Sequence, residues 1–260
     1  MTGGPVDLEG ARILVTNDDG YSAAGIAVLT RIARSFSDDI WVVAPETNQS
    51  GTGHSLTLLR PLRLRQVEER RYAVDGTPTD CVLLAVNEVL KDRPPALVLS
   101  GVNQGYNLAE DVRYSGTISA AMEGMMLGIP SIALSQFVPP DGKAPWDTAE
   151  THAPDLIRKL CAVGWPVDTV ISVNFPPCGA DAVTGVRATA QGRQKTGDQI
   201  VRGTDPRGRS YFWVGAMLKT RDAEPGSDVA AVADNAISVT PVALDATDRA
   251  ALEDLKGVLG

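Results

Sequence analysis

Two adjacent carboxylates close the first apolar run of the chain, in Thr16-Asn17-Asp18-Asp19-Gly20. Paired negative charges beside a buried strand are costly unless something positive sits between them, and a divalent cation is the simplest answer. An Asp-Gly pair is also a common solvated turn, so this segment alone decides nothing. The second apolar run leads into Ala44-Pro45-Glu46-Thr47-Asn48-Gln49-Ser50-Gly51-Thr52-Gly53-His54-Ser55, a small, hydroxyl-rich loop. Its glycines would let backbone N–H groups approach an anion. No Lys follows them and Leu56 stands where a third glycine would, so the loop is neither a Walker nor a dinucleotide motif, and a plain flexible loop fits equally. A third loop reads Ser100-Gly101-Val102-Asn103-Gln104-Gly105-Tyr106-Asn107, followed by Tyr114-Ser115-Gly116-Thr117 at the start of a helical pattern. Ser-Gly-Thr at a helix N-terminus offers hydroxyls, free N–H groups and the positive end of a dipole, and it equally describes an ordinary Ser cap. Taken together, the loops supply carboxylates, a hydroxyl, an amide and an anion cradle, the parts of metal-assisted phosphoryl chemistry.

Composition narrows the metal. The 260 residues include two His (His54, His152) and three Cys, scattered with no zinc-type spacing and too few for a disulfide scaffold. Oxygen ligands and a hard cation such as Mg²⁺, Mn²⁺ or Ca²⁺ are therefore expected. A net charge of −8 argues against non-specific nucleic-acid binding. The opening MTGGPVDLEGAR lacks the apolar stretch of a secretory signal, and Glu123 and Pro130 interrupt the most apolar stretch, 118–135. A cytoplasmic protein with no membrane association is expected.

The elements that must position these loops follow from periodicity. Five short unalternated apolar runs, at 13–15, 40–43, 96–99, 132–134 and 170–173, read as parallel strands buried on both faces. Helical patterns lie between them at 25–36, 78–90, 115–128 and 149–161. The alternation predicts an α/β, Rossmann-like, doubly wound and mostly parallel sheet, whose ligand site lies beyond the C-terminal strand ends. The core is expected over 1–184, with a hairpin insertion at 56–75 in which Leu56, Leu58, Leu62 and Leu64 alternate with other neighbours. Residues 185–260 are expected to form a β-rich extension for oligomerisation, ending in a short helix over 246–259.

Asn17-Asp-Asp-Gly20, Gln49-Ser-Gly51, Gly76-Thr-Pro-Thr-Asp-Cys81, Ser100-Gly-Val-Asn103 and Tyr114-Ser-Gly-Thr117 closely resemble motifs of the SurE family, survival proteins acting as 5′/3′-nucleotidases and phosphatases. The resemblance continues through Val173-Asn-Phe-Pro176, Asp205-Pro-Arg-Gly-Arg209 and Ser227-Asp228 to Ser238-Val-Thr-Pro241, nearly the whole chain. It implies one divalent metal ion per subunit, Mg²⁺ or Mn²⁺, held by Asp18, Asp19, Ser50 and Asn103, with Asp18 and Asp19 catalytic. It places Asn107, Ser115, Gly116 and Thr117 near the substrate phosphate. It also implies a homodimer or tetramer that exchanges the C-terminal β arm, nucleoside monophosphate substrates and, in some members, polyphosphate. The chain departs from the family pattern in Ser22-Ala23-Ala24-Gly25, Thr47 and Tyr106, positions that bear on base preference and phosphate affinity.

Two functions of different classes fit these residues: a metal-dependent nucleoside monophosphate phosphatase, and a sensor that binds nucleotide or metal without turnover. The acidic pair favours the first, since sensing needs no activated water. A phosphoaspartyl route is disfavoured because the carboxylates are adjacent rather than spaced Asp-x-Asp. Tyr106 reads as either a surface aromatic or a partner for a nucleobase, and His54 as either incidental or near a leaving group. The charge is unevenly spread: residues 187–221 hold eight basic and two acidic residues, a local +6 that leaves −14 for the rest. That segment is expected to face a partner subunit or guide anionic substrates, or to protect an edge strand from aggregation.

Overall fold

The computed structural model describes residues 3–139, 142–219 and 222–259. In chain order the elements are β1 (Ile13–Thr16), α1 (Ala24–Arg34), β2 (Ile40–Pro45), β3 (Leu64–Glu68), β4 (Arg71–Val74), α2 (Pro78–Leu84), β5 (Leu97–Gln104), α3 (Gly116–Met126), β6 (Ser131–Gln136), α4 (Trp146–Ala162), β7 (Thr169–Phe175), β8 (Val186–Ala188), β9 (Lys195–Thr204), β10 (Ser210–Lys219), α5 (Asp228–Ala233), β11 (Ile237–Ala243) and α6 (Arg249–Leu259). A short π-helical turn, Ala85–Val89, continues α2. Nine strands form one sheet in the order β3-β4-β2-β1-β5-β6-β7-β11-β8. All neighbouring pairs are parallel except β3–β4 and β7–β11.

Successive residues of the central strands go to opposite faces, as strand geometry requires. Ile13, Val15, Leu97 and Leu99 join the layer that packs with Ile26, Leu29, Ala153 and Ile157 of α1 and α4. Leu14, Val43 and Val98 face α2 and α3 through Val82, Ala85 and Ala120. Both sheet faces are thus covered, which is why these runs are continuous rather than alternating. Close approach of α1 to β5 depends on Gly25, where a Cβ would lie 1.8 Å from the Val102 carbonyl oxygen.

The chain turns from building leftward (β1 to β2) to building rightward (β5, β6, β7) between β1 and β5. That reversal opens a crevice at their C-terminal ends, where ligands bind in open α/β sheets. Asp18-Asp19 follow directly on β1, and Asn103 lies near the C-terminal end of β5.

One expectation needs correction. The hairpin arms span only 64–68 and 71–74, and β4 extends the main sheet by pairing in parallel with β2. Leu56 and Leu58 lie outside any strand and are exposed; Arg60-Pro61 interrupts their alternation, and Pro cannot donate to a ladder. Beyond residue 184 the chain is β-rich, and β8 and β11 complete the nine-stranded sheet. What stands apart is the antiparallel pair β9–β10, together with α6, which has no buried residue. Phe212, Trp213 and Val214 of β10 are 58%, 67% and 74% exposed, a dense apolar surface for a two-stranded ribbon. Within the basic segment Arg187 pairs with Asp234, Lys195 with Asp198 and Arg209 with Asp205, so part of its charge is locally balanced; Arg221 lies outside the described residues.

Candidate metal and phosphate site

Asp18 is buried at the end of β1, and burial pushes its carboxyl up from 3.8 to about 6 despite a hydrogen bond from the Thr117 side chain; repulsion from Asp19 adds to the rise. Its Oδ1 accepts the Thr117 hydroxyl at 2.5 Å, and the Thr117 backbone N–H adds a further hydrogen bond. The N-terminus of α3 therefore points its dipole and its first N–H groups at Asp18. Asp19 is also raised by burial; the Gln104 N–H donates to its Oδ2 at 3.1 Å and the Asn48 amide to its Oδ1 at 3.4 Å. Among the described residues both carboxylates are held by neutral donors, and the fold gathers two partly desolvated carboxylates at one strand end.

A cleft of about 360 Å³ opens there, its wall including Asp18, Ser50, Asn103, Asn107 and Ser115. An extra residue in β5, between the pairs Ser100–Ala133 and Asn103–Ser135, bends the strand and turns Asn103 into this cleft. Its amide nitrogen donates to the Gly105 carbonyl at 3.1 Å, which leaves the amide oxygen as the group available to a ligand. Ser50 is carried by a loop tied down at both ends: Gln49 N–H donates to the Asp18 carbonyl at 2.8 Å and Gly53 N–H to the Tyr114 carbonyl at 3.1 Å. Asp18, Asn103 and Ser50 line the cleft with a carboxylate, an amide oxygen and a hydroxyl oxygen, and Asp19 adjoins it through the Gln104 N–H, oxygen donors of the kind a hard divalent cation takes. Among the described residues no group of three or more His, Cys, Asp or Glu could hold a metal, so neutral oxygens are required to complete any such shell.

Asn107 and Ser115 also line the cleft. The Ser115 oxygen accepts from Ile118 N–H as the cap of α3, leaving its own hydrogen to donate. The Asn107 amide donates to Ser135 at 2.8 Å with one hydrogen, and the other is uncommitted by that contact. Thr117 is fully buried and gives its hydroxyl to Asp18, which orients that carboxylate. Gly116 is a contact glycine, with a Cβ there falling 2.7 Å from Asp18 Cβ.

Several participants were not assigned from sequence. Asn174 of β7 accepts the Asn107 N–H at 2.8 Å and returns a bond to its carbonyl at 3.2 Å, anchoring the third loop; the Asn in Val173-Asn-Phe-Pro176 was the available signal. His54 Nε2 lies 3.1 Å from Oε2 of Glu123, a buried carboxylate on α3, so this histidine straps the Ser50 loop to the helix. His54→Ala is expected to lower the thermal midpoint by a few degrees, reflecting the roughly 1–3 kcal/mol of leaving a buried partner unsatisfied. Glu123→Gln in that background should recover part of the loss. An unchanged midpoint by calorimetry would make the contact idle. Cys81 is buried with its thiol pushed up by burial, a packing residue rather than a nucleophile. His152 hydrogen-bonds the Ala180 carbonyl at 3.1 Å.

Comparison with known proteins places the chain in a family. A family model described as "Survival protein SurE" matches residues 13–198. A protein of Paramagnetospirillum magneticum named 5′-nucleotidase SurE is 56% identical over 259 residues, covering 99% of this chain and 98% of its own. One of the same name from Rhizobium meliloti is 57% identical over 250 residues, covering 95% and 97%. The crystal structure of the SurE protein from Aquifex aeolicus superposes with a TM-score of 0.82 at 39% identity, covering 95% of this chain and 99% of that one. By sequence, by fold and by the loops that build its cleft, the chain belongs to the SurE family.

Proposed function

We propose that this protein is a divalent-metal-dependent 5′-nucleotidase, a phosphomonoesterase that hydrolyses nucleoside 5′- and 3′-monophosphates to nucleoside and phosphate, with short polyphosphate as a further substrate. The carrying observation is the buried Asp18, held by Thr117 at the β1–β5 crevice on the same cleft wall as Ser50 and Asn103. Relatives named 5′-nucleotidase SurE, more than half identical over nearly the full length, support the same reading.

One Mg²⁺ or Mn²⁺ per subunit would be held by Asp18, Asp19, Ser50 and Asn103, and would supply Lewis acidity toward a phosphate oxygen and a more acidic bound water. The protein's own part is positioning. Thr117 and the first turn of α3 hold Asp18 in one orientation, and Gln104 N–H holds Asp19. Ser115 O–H and the remaining Asn107 amide hydrogen are the donors placed to meet equatorial phosphate oxygens, where each well-aimed donor contributes up to about 3 kcal/mol. The exposed apolar residues on both sides of β10 and an α6 without a buried residue support assembly through the C-terminal arm into a homodimer or tetramer. Three free cysteines fit a cytoplasmic setting, and among the described residues no helix is long and apolar enough to cross a membrane.

Phosphate release from nucleoside monophosphates and p-nitrophenyl phosphate, with Mg²⁺ or Mn²⁺ and with chelator, tests this directly. Turnover is expected with metal and its loss with chelator. Nucleotide binding with no metal-dependent turnover at any pH would overturn the enzymatic reading in favour of a sensor.

A further inference from the structure

The cleft that holds the oxygen donors also has an aromatic wall. Tyr106 lines it together with Asp18, Ser50 and Asn103. Its ring stacks on Phe137, with centroids 4.6 Å apart and 27° between planes. Both neighbours of Tyr106 are anchored: Gly105 N–H donates to the Gln136 carbonyl at 3.0 Å, and Asn107 N–H to Asn174 at 2.8 Å. The Phe137 backbone is fixed in turn by its N–H to the Phe175 carbonyl at 3.0 Å. A ring clamped this way loses little further freedom when a flat ligand settles against it, which is the advantage of preorganisation. The other aromatic of the wall, Tyr114, already carries the Lys195 ammonium 4.4 Å from its ring centre.

The cleft is therefore lined both by charged and polar oxygens and by a braced aromatic ring, three residues along the chain from Asn103. A ligand matching both carries a phosphate and a planar ring. We infer that Tyr106, braced by Phe137, is the platform on which the nucleobase of a nucleoside monophosphate stacks, so that the enzyme discriminates nucleotides from base-free sugar phosphates. This rests on the nucleotidase reading and adds to it a specificity-determining residue.

The test compares kcat/KM for AMP and for ribose 5-phosphate, alongside calorimetric binding of AMP to the metal-loaded full-length protein. In the wild type the AMP to ribose 5-phosphate ratio should exceed unity. Tyr106→Ala should reduce that ratio roughly tenfold, the usual scale for a lost base–aromatic stack. Tyr106→Leu keeps the apolar bulk without a π-face and should reduce it too, while Tyr106→Phe should retain it. Phe137→Leu should shift the ratio in the same direction by loosening the Tyr106 ring. An unchanged ratio in both Tyr106→Ala and Tyr106→Leu would overturn the inference while leaving the nucleotidase reading intact. AMP binding that depends on Tyr106 without turnover would uphold the stacking platform and reject the catalytic reading. Absence of AMP binding would overturn the platform outright.

Discussion

Asp19→Asn is expected to reduce metal-dependent phosphate release by roughly a thousandfold or more, because it removes an anionic donor from a site whose chemistry needs several kcal/mol of charge stabilisation. The substitution is isosteric, and the asparagine carbonyl can still accept the Gln104 N–H that now goes to Asp19 Oδ2. Burial raises the Asp19 carboxyl, so the folded protein without metal gains nothing from the charge being there. The thermal midpoint of the metal-free variant should therefore equal or exceed that of the wild type, while the stabilisation given by added Mn²⁺ should shrink. Activity and melting measured on one preparation separate a lost ligand from a lost fold. Wild-type turnover in Asp19→Asn would mean that the ion is held elsewhere.

Asp18 would be the less informative substitution, and the reason shows how far the sequence could be read. Adjacent carboxylates after a β-branched run are visible in Asp18-Asp19, as are the buried strands, because Ile13, Leu14 and Val15 leave no polar face. The Ser115-Gly116-Thr117 turn is equally visible as a helix start, and Ser115 caps α3 as its residue type predicts. Nothing local, however, shows that Thr117 reaches back 99 positions to Asp18. That bond depends on the packing of α3 over the β1–β5 crevice, a tertiary fact with no periodic signature. The β5 bulge that turns Asn103 into the cleft is hidden for the same reason, since Val102 looks like one more strand residue. Leu56 and Leu58 mislead in the opposite direction: alternation over a few residues imitates a strand, but Arg60-Pro61 and the absence of a sheet neighbour leave them exposed. Likewise β11 is legible as a β-prone piece, while its antiparallel seat beside β7, from Ser238–Asn174 to Ala243–Thr169, is set by the whole sheet. His54 and Glu123 lie 69 positions apart, so their pairing too could only emerge from the fold.

Gly116→Ala tests the coupling between α3 and the acidic pair most sharply, because by helix propensity alone it should stabilise the protein. Alanine is favoured over glycine within helices by about 1 kcal/mol, and Gly116 opens α3 without a positive φ. The added methyl, however, would sit 2.7 Å from Asp18 Cβ and 3.0 Å from both Asp18 Oδ2 and Pro78 Cγ. Pro78 belongs to α2, which packs against α3, so the methyl is confined between a neighbouring helix and the carboxylate. Relief must come from displacing Asp18 or the first turn of α3, and either move disturbs the Thr117 bond that orients the carboxylate. A misplacement near 1 Å costs on the order of a hundredfold in rate. The expected outcome is a roughly hundredfold fall in kcat/KM and weaker metal binding by titration, with the far-ultraviolet spectrum unchanged. The contrast is Gly25→Ala, whose methyl would meet the Val102 carbonyl at 1.8 Å, where backbone must yield, so that variant should lose stability along with activity. Unaltered kcat/KM and metal affinity in Gly116→Ala would show that α3 does not hold Asp18 in its working position, and the positioning role given to Thr117 would fall with it.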